Sequence, residues 1–143
     1  MTVEKVKNKL KSVRNLKVRL MALRTQIAEF AAGIDGVSAV DYSKEKVKYS
    51  NSNYVEDRYI KLMDRLKALQ DEYKLLFAHL CAVEDELSER MKRLNHTEYQ
   101  VVFTRYLNDI RPFSLQSAAR KFGYSLDGIK TIQKRAFKKM ADF

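Results

Sequence analysis

The sequence predicts an all-α fold in which a long antiparallel coiled-coil hairpin is followed by a unit of shorter helices. Three observations support this prediction. Apolar residues recur at alternating spacings of three and four over two long stretches, which is the period of a helix with one buried stripe. The 143 residues include only 4 glycines and 1 proline, so few positions interrupt a helix. Near the C-terminal end, two short helical patterns are separated by a glycine.

The first long stretch runs from Val3 to Phe30 and carries a nearly unbroken heptad seam, which is typical of a coiled coil. The seam residues are Val3, Val6, Leu10, Val13, Leu16, Leu20, Leu23, Ile27 and Phe30. The opposite face is rich in lysine. That face has two interpretations, a solvated surface or an auxiliary contact to DNA or RNA.

Residues 32–53 interrupt this pattern and are predicted to form a long connection. They contain Gly33, Gly36 and a cluster of serine and asparagine, all of which favour turns and loops. Asn53 and Glu56 then have the spacing of a capping box, in which an N-cap side chain and the third helical residue bond each other's backbone. The second long helix is therefore predicted to begin at Asn53.

The second seam runs from Val55 to Leu94 and is the more regular of the two. A helix of about 40 residues would be about 60 Å long at about 1.5 Å per residue. An apolar stripe of that length needs a partner. We expect the first helix to pack against it as an antiparallel hairpin, and a second copy of the protein to cover what remains. Residues 1–94 are thus predicted to be a coiled-coil oligomerisation unit with a loop at 32–53, and residues 95–143 a separate domain.

Residues 95–143 read as helix, loop, helix, turn and basic helix. Asn95 and Glu98 repeat the capping-box spacing, and Pro112 predicts a break. Ser114 and Ser125 are candidate N-caps of the last two helices, and Gly123 stands where the turn between them needs a positive φ. A short helix, a glycine turn and a basic helix form a helix-turn-helix, with the basic helix as the candidate reader of the major groove.

The run from Leu94 to Met140 resembles region 4 of the bacterial sigma-70 family of sigma factors. The matching residues are Leu94, Glu98, Val102, Arg105, Tyr106, Ser114, Leu115, Ala118, Ala119, Gly123, Tyr124, Ser125, Ile129, Lys130, Arg135, Ala136, Lys138 and Lys139. Leu126 and Gly128 stand where sigma factors often place polar or basic side chains. With its N-terminal helical pair, the whole chain resembles the late-transcription regulators of phages and prophages of Gram-positive bacteria, the ArpU-like and RinA-like group.

The candidate DNA-binding residues divide by role. Phosphates are expected to be met by Arg120, Lys121, Lys134, Lys138 and Lys139. Base edges are expected to be met by the DNA-binding candidates from Ser125 onward, where Lys130 can donate to guanine and Asp127 can accept from cytosine N4. The sigma resemblance implies DNA contacts for Asp127, Lys130, Thr131 and Lys134. Arg135 has an open alternative, since it can pair with Glu98 or Asp109 and hold the bundle together.

The charge pattern favours a nucleic acid as partner. The formal net charge is +10, with a pI of about 9.7. From Met1 to Leu20 there are seven basic residues and one acidic residue, a net of +6, and from Arg111 to the end eight and two, also +6. From Tyr54 to Leu94 eight basic residues face nine acidic ones, a net of −1. Positive charge gathered in this way favours a nucleic acid such as double-stranded DNA, or another anionic surface, as partner.

Other function classes find little support. Cys81 is the single cysteine, and the two histidines have no metal-ligand spacing, so no metal or other cofactor is expected. No nucleotide-binding or nucleophile motif occurs, which argues against an enzyme. No apolar run approaches the roughly 20 residues that cross a bilayer, and no secretory signal is apparent. The expected location is the bacterial cytoplasm, on DNA.

The sequence therefore predicts a sequence-specific DNA-binding transcription regulator that oligomerises through its coiled coil. The family resemblance implies contact with host RNA polymerase and an activating role. Two alternatives stay open. One is a DNA-packaging protein that resembles a small terminase subunit, although those proteins usually carry the DNA-binding unit first. The other is an interaction protein that docks on polymerase and has little DNA affinity of its own.

Overall fold

The computed structural model describes residues 1–43, 49–108 and 113–142, with side chains described over 1–34, 55–108 and 113–142. Every regular element in these ranges is helical, which confirms the all-α prediction. The elements are α1 (Val3–Ser43), α2 (Tyr49–Met91), α3 (His96–Val102), a π-helical turn (Phe103–Leu107), α4 (Leu115–Phe122) and α5 (Leu126–Ala141). The predicted break at Pro112 lies outside the described residues.

The predicted connection over 32–53 is wrong for residues 32–43 and 49–53, which are helical, and its residues 44–48 lie outside the described ranges. Helix α1 continues to Ser43 and α2 begins at Tyr49, so Asn53 lies inside α2 and does not cap its start. The physical reason is that Gly33 costs a helix only about 1 kcal/mol relative to alanine. The apolar period also continues past the glycine, since Ile34 follows Phe30 at a spacing of four and is buried.

The chain divides into two compact units. Met1–Val18 and Ala78–Phe143 form one, called here the HTH unit, and Arg19–Phe77 forms the other, called the hairpin unit. Each unit therefore contains a piece of α1 and a piece of α2. The predicted domain boundary at residue 94 lies inside the HTH unit. Whether residues 1–94 and 95–143 are independent domains stays a prediction.

The core of the HTH unit takes apolar residues from the start of α1 and the end of α2. Val6, Leu10, Val13, Leu87 and Met91 are all buried. An ion pair between Lys9 and Glu86 joins the two helices in antiparallel register. The hydrogen bond from Lys9 lowers the pKa of Glu86, and the nearby charges of Lys9 and Arg90 act in the same direction.

The hairpin unit is a two-helix pair with an incompletely covered seam. Arg19 pairs with Glu72, and the guanidinium of Arg65 lies 5.1 Å from the ring centroid of Phe30, as expected for antiparallel helices. On α1 the seam residues Leu20, Leu23 and Ile34 are buried. On α2 the seam residues Leu62, Leu66, Leu69, Tyr73 and Leu76 are only half-buried. A pair of helices alone leaves one side of its apolar stripe accessible.

Helix α3 begins with the predicted capping box. The backbone N–H of Glu98 donates to Asn95 Oδ1 at 2.8 Å, and the N–H of Asn95 donates to Glu98 Oε1 at 3.2 Å. The helix then continues into the π-helical turn, which ends with a hydrogen bond from the N–H of Asn108 to the carbonyl of Phe103 at 2.9 Å. The wider turn places Tyr106 in the core, where its ring centroid lies 5.9 Å from that of Phe137 on α5.

Candidate nucleic-acid interface

Helices α4 and α5 have the ends that the sequence predicts. Ser114 accepts a hydrogen bond from the N–H of Ser117 at 3.1 Å, and Ser125 accepts one from the N–H of Gly128 at 3.1 Å. Each hydroxyl thus satisfies one of the free donors at a helix start. Gly123 has φ of 72°, a left-handed conformation that strains residues with a side chain. These three positions fix the turn between the two helices.

A small apolar cluster holds α4 against α5. Its buried members are Val101, Ala118, Ala119 and Ile129, and Phe113, Leu115, Phe122 and Ile132 pack around them half-buried. The alanines matter because a side chain of one carbon lets the backbones of two short helices approach closely. The cluster fixes the angle at which α5 is presented.

Arg105 connects three parts of the motif. Its Nε donates to the carbonyl of Phe113 at 3.0 Å, ahead of α4, and its Nη1 donates to the side-chain oxygen of Gln133 on α5. The same guanidinium lies 4.9 Å from the ring centroid of Tyr106. Arginine suits this position because its donors point in several fixed directions at once.

One face of α5 is exposed and carries the predicted contact residues. A helix turns about 100° per residue, so Asp127, Thr131, Lys134 and Lys138 fall within about 60° of one another. Lys130 lies beside them, and all five residues are exposed. The buried residues Ile129, Ala136 and Met140 occupy the opposite side, and the buried Phe137 lies on the flank next to Lys130. The structure thus brings these five predicted residues together on one accessible surface, although contact with DNA stays a prediction.

Two of the predicted residues already use their side chains within the motif. The Ser125 oxygen caps α5, as described above. The Thr131 hydroxyl donates to the carbonyl of Asp127 at 2.9 Å, which leaves only its acceptor capacity for a base or phosphate. On α4, Arg120 and Lys121 are both exposed, and the Lys121 ammonium lies 5.8 Å from the ring centroid of Phe113.

Lys139 differs from the other predicted phosphate contacts. Its Nζ lies 2.5 Å from Oε1 of Glu98, a residue only 2% exposed. Lys139 sits about 100° around α5 from Lys138, which turns it away from the exposed row. The Glu98 carboxylate pairs with Lys139, and Arg135 is exposed, so the bundle-holding role of Arg135 stays a prediction. Asp109, the other proposed partner of Arg135, lies outside the described residues.

Residues that the sequence did not single out position the interface. Arg14 on α1 donates from Nη2 to the carbonyl of Arg105 at 2.5 Å, and Lys17 donates to the carbonyl of Leu107 at 3.3 Å. Arg90 and Arg93, at and after the end of α2, donate to the carbonyls of Met140 and Asp142 at 2.7 and 2.6 Å. These carbonyls lie at or just beyond the ends of helical segments, where cations are favoured. A basic residue on a long helix gives no sequence signal for such a role.

Most of the excess positive charge belongs to the HTH unit. By sequence, this unit holds 18 basic and 9 acidic residues, a net of +9, whereas the hairpin unit holds 10 and 9, a net of +1. A positive field of this kind attracts a polyanion and speeds its approach. The charge asymmetry therefore coincides with the helix-turn-helix.

Other kinds of site find no support in the described ranges. They contain no group of three or more His, Cys, Asp or Glu side chains arranged to hold a metal ion. The helices of the described ranges also include none with the length and apolarity needed to cross a membrane.

Comparison with models of known protein families gives a match to the C-terminal part of the chain. Residues 90–142 match the family model described as Sigma-70, region 4. Neither the curated proteins nor the solved structures contain a match to the chain. The matched range begins at the end of α2 and covers α3, the π-helical turn, α4 and α5. It supports DNA binding and transcription regulation in general, and it identifies residues 90–142 as a helix-turn-helix domain of the sigma-70 region 4 type.

Proposed function

We propose that this protein is a sequence-specific DNA-binding transcription regulator that acts by binding and not by catalysis. One observation carries the proposal. In a domain that matches sigma-70 region 4, the face of α5 opposite its buried side presents a continuous exposed row with three lysines. A basic helix that projects from a helix-turn-helix enters the major groove in proteins of this architecture.

The roles of the side chains follow from their positions. Lys130 and Asp127, near the start of α5, reach base edges, where lysine selects guanine and aspartate selects cytosine. Lys134, Lys138 and, on α4, Arg120 meet phosphates, which position the protein without reading sequence. Leu126 is 38% exposed at the first position of α5 and suits apolar contact with a thymine methyl group.

The biological setting is the finer part of the proposal. The chain resembles late-transcription regulators of phages and prophages of Gram-positive bacteria, so we place it on a phage or prophage genome in the bacterial cytoplasm. An activating role through contact with RNA polymerase follows from the same resemblance, since region 4 belongs to a polymerase subunit family.

Self-association through the hairpin unit completes the proposal. The half-buried α2 seam and the net charge of +1 make this unit suitable for packing against a second copy, since apolar surface is available and repulsion is small. A dimer would set the spacing between two half-sites on DNA. Light scattering tests this: a dimer or tetramer agrees with regulation, whereas a large ring would favour the terminase-like alternative.

The proposed DNA function is tested with fragments of the genome that encodes the protein. At physiological salt, the purified full chain should retain particular fragments over random DNA of equal length. Lys130→Ala should reduce that preference by about 1–3 kcal/mol, because a base contact is lost. Lys138→Ala should weaken binding to all fragments about equally and lower the salt dependence of the affinity.

If the unaltered protein prefers no fragment over random DNA, the proposal of sequence-specific binding is contradicted. Polymerase capture without DNA retention would favour the docking alternative.

A further inference from the structure

We propose that Lys7 and Lys11, on the first turns of α1, form a second contact to the phosphate backbone of the same duplex that α5 reads. This inference rests on the proposed DNA function. It assigns part of the lysine-rich face of α1 to DNA, although this face lies some 120 residues before α5 in the sequence. The partner is double-stranded DNA, and the contact would add affinity without adding sequence preference.

The first step is the position of α1. Its start belongs to the same compact unit as the helix-turn-helix, and two basic side chains show where it lies. The Lys7 ammonium is 5.6 Å from the ring centroid of Phe137 on α5. The Arg14 guanidinium donates to the carbonyl of Arg105 in the π-helical turn. Lys7, Lys11 and Arg14 follow at spacings of four and three, so they share one face of α1. Lys11 therefore lies between two residues that both reach the helix-turn-helix.

The second step is that other lysines of α1 lie elsewhere. Lys9 is about 160° from Lys7 at about 100° per residue, and it pairs with Glu86 on α2. Lys5 is about 120° from Lys11 and about 160° from Lys7. The row of Lys7 and Lys11 is thus the edge of α1 next to the helix-turn-helix, and Lys5 and Lys9 lie on another side.

The third step is charge. Lys7 and Lys11 are exposed, and no carboxylate in the described part of the chain forms an ion pair with either of them. Lys9 and Lys17, by contrast, pair with Glu86 and Glu84. Two uncompensated cations at the edge of a domain with net positive charge repel one another unless an anion lies near them.

The fourth step relates this row to the face of α5 that reads DNA. Lys134 lies three residues before Phe137, and Lys130 lies seven residues before it. Both side chains therefore project from the flank of α5 where Lys7 lies. Helix α4 meets α5 at Ile129 and Ile132, and Ile132 is about 140° from Phe137 around the helix. Helix α4 and the start of α1 therefore approach α5 from different directions. A groove about 12 Å wide has a phosphate ridge on each side, so α4 and the start of α1 can each address one.

The experiment measures how the affinity of the full chain for a preferred genomic fragment depends on salt. Each phosphate contact contributes about 0.9 to the slope of log K against log salt, so Lys7→Gln with Lys11→Gln should lower the slope by about 1.8. As salt rises from 50 to 200 mM, the affinity of the unaltered protein should therefore fall about twelvefold more than the affinity of the double variant. The ratio of the affinity for the preferred fragment to the affinity for random DNA should not change, because no base contact is removed.

Lys11→Gln alone and Lys5→Gln are the matched pair. Both remove one exposed lysine from α1, and neither removes a side-chain contact described in the structure. Lys11→Gln should lower the slope by about 0.9, and Lys5→Gln should leave it unchanged. Equal effects of the two, or no effect of Lys11→Gln, would overturn the inference. In the latter case, a loss of binding on Lys134→Ala would show that the proposed function still holds. No DNA binding by the unaltered protein would end both.

Discussion

At the scale of single residues, Lys138 and Lys139 show how one helical step separates two roles. Both are exposed basic residues in the last turns of α5, and both are predicted phosphate contacts. Lys138 continues the exposed row, whereas Lys139 neutralises a carboxylate that the core surrounds. The sequence shows two equivalent lysines, and only the position of Glu98 on α3 distinguishes them.

Lys139→Ala should therefore reduce stability more than DNA binding. Its loss would leave the buried Glu98 carboxylate with fewer donors, at a cost of about 1–3 kcal/mol in the free energy of unfolding. Lys138→Ala should change that free energy by less than about 0.5 kcal/mol, as exposed substitutions usually do. Urea unfolding of both variants measures the difference. Adding Glu98→Gln to Lys139→Ala should recover part of the loss, because an amide carries no charge. Equal stability of the two single variants would contradict the structural role.

At the scale of elements, the ends of the short helices were predictable and the extent of the long ones was not. Ser114, Gly123 and Ser125 act within three or four residues of themselves, so their spacing is visible in the sequence. The π-helical turn was not foreseen, since it depends on packing of Tyr106 against a distant helix. Helix α1 extends beyond its predicted end because glycine weakens a helix without ending it, and because the apolar pattern continues to Ile34.

Substitutions at two glycines test these helix boundaries, because one should raise the free energy of unfolding and the other should lower it. Gly33→Ala should raise the free energy of unfolding by about 0.5–1 kcal/mol, since Gly33 is helical and an added Cβ meets nothing within 4 Å. Gly123→Ala should lower it by about 1–2 kcal/mol, because its φ of 72° strains a side chain despite open space around it. Thermal unfolding followed by far-ultraviolet circular dichroism measures both. A Gly33→Ala protein no more stable than the unaltered one would instead support a loop at this position.

At the scale of the whole molecule, the sequence predicted the kinds of helix, and its division of the chain at residue 94 stays a prediction. A boundary at residue 94 is natural when heptads are read along the chain, because the seam stops there. The HTH unit extends across that boundary, because Val6, Leu10 and Val13 of α1 belong to this unit and are buried. Arg14 and Lys17 reinforce the same association through carbonyls of the π-helical turn. Such long-range packing leaves no local signal, so the sequence shows only that these residues are apolar or basic.

The start of α1 should accordingly be necessary for a stable helix-turn-helix. Leu10 is fully buried, so Leu10→Ala should cost about 2–5 kcal/mol in the free energy of unfolding. Val18→Ala is the matched control on the same helix, because Val18 is 46% exposed and its truncation should cost little. Hydrogen exchange of the α5 amides, including those of Phe137 and Met140, is the informative measurement. If α1 supports α5, Leu10→Ala should accelerate their exchange and Val18→Ala should not. Unchanged α5 protection in a destabilised Leu10→Ala protein would show that residues 95–143 fold independently, as the heptad boundary predicts.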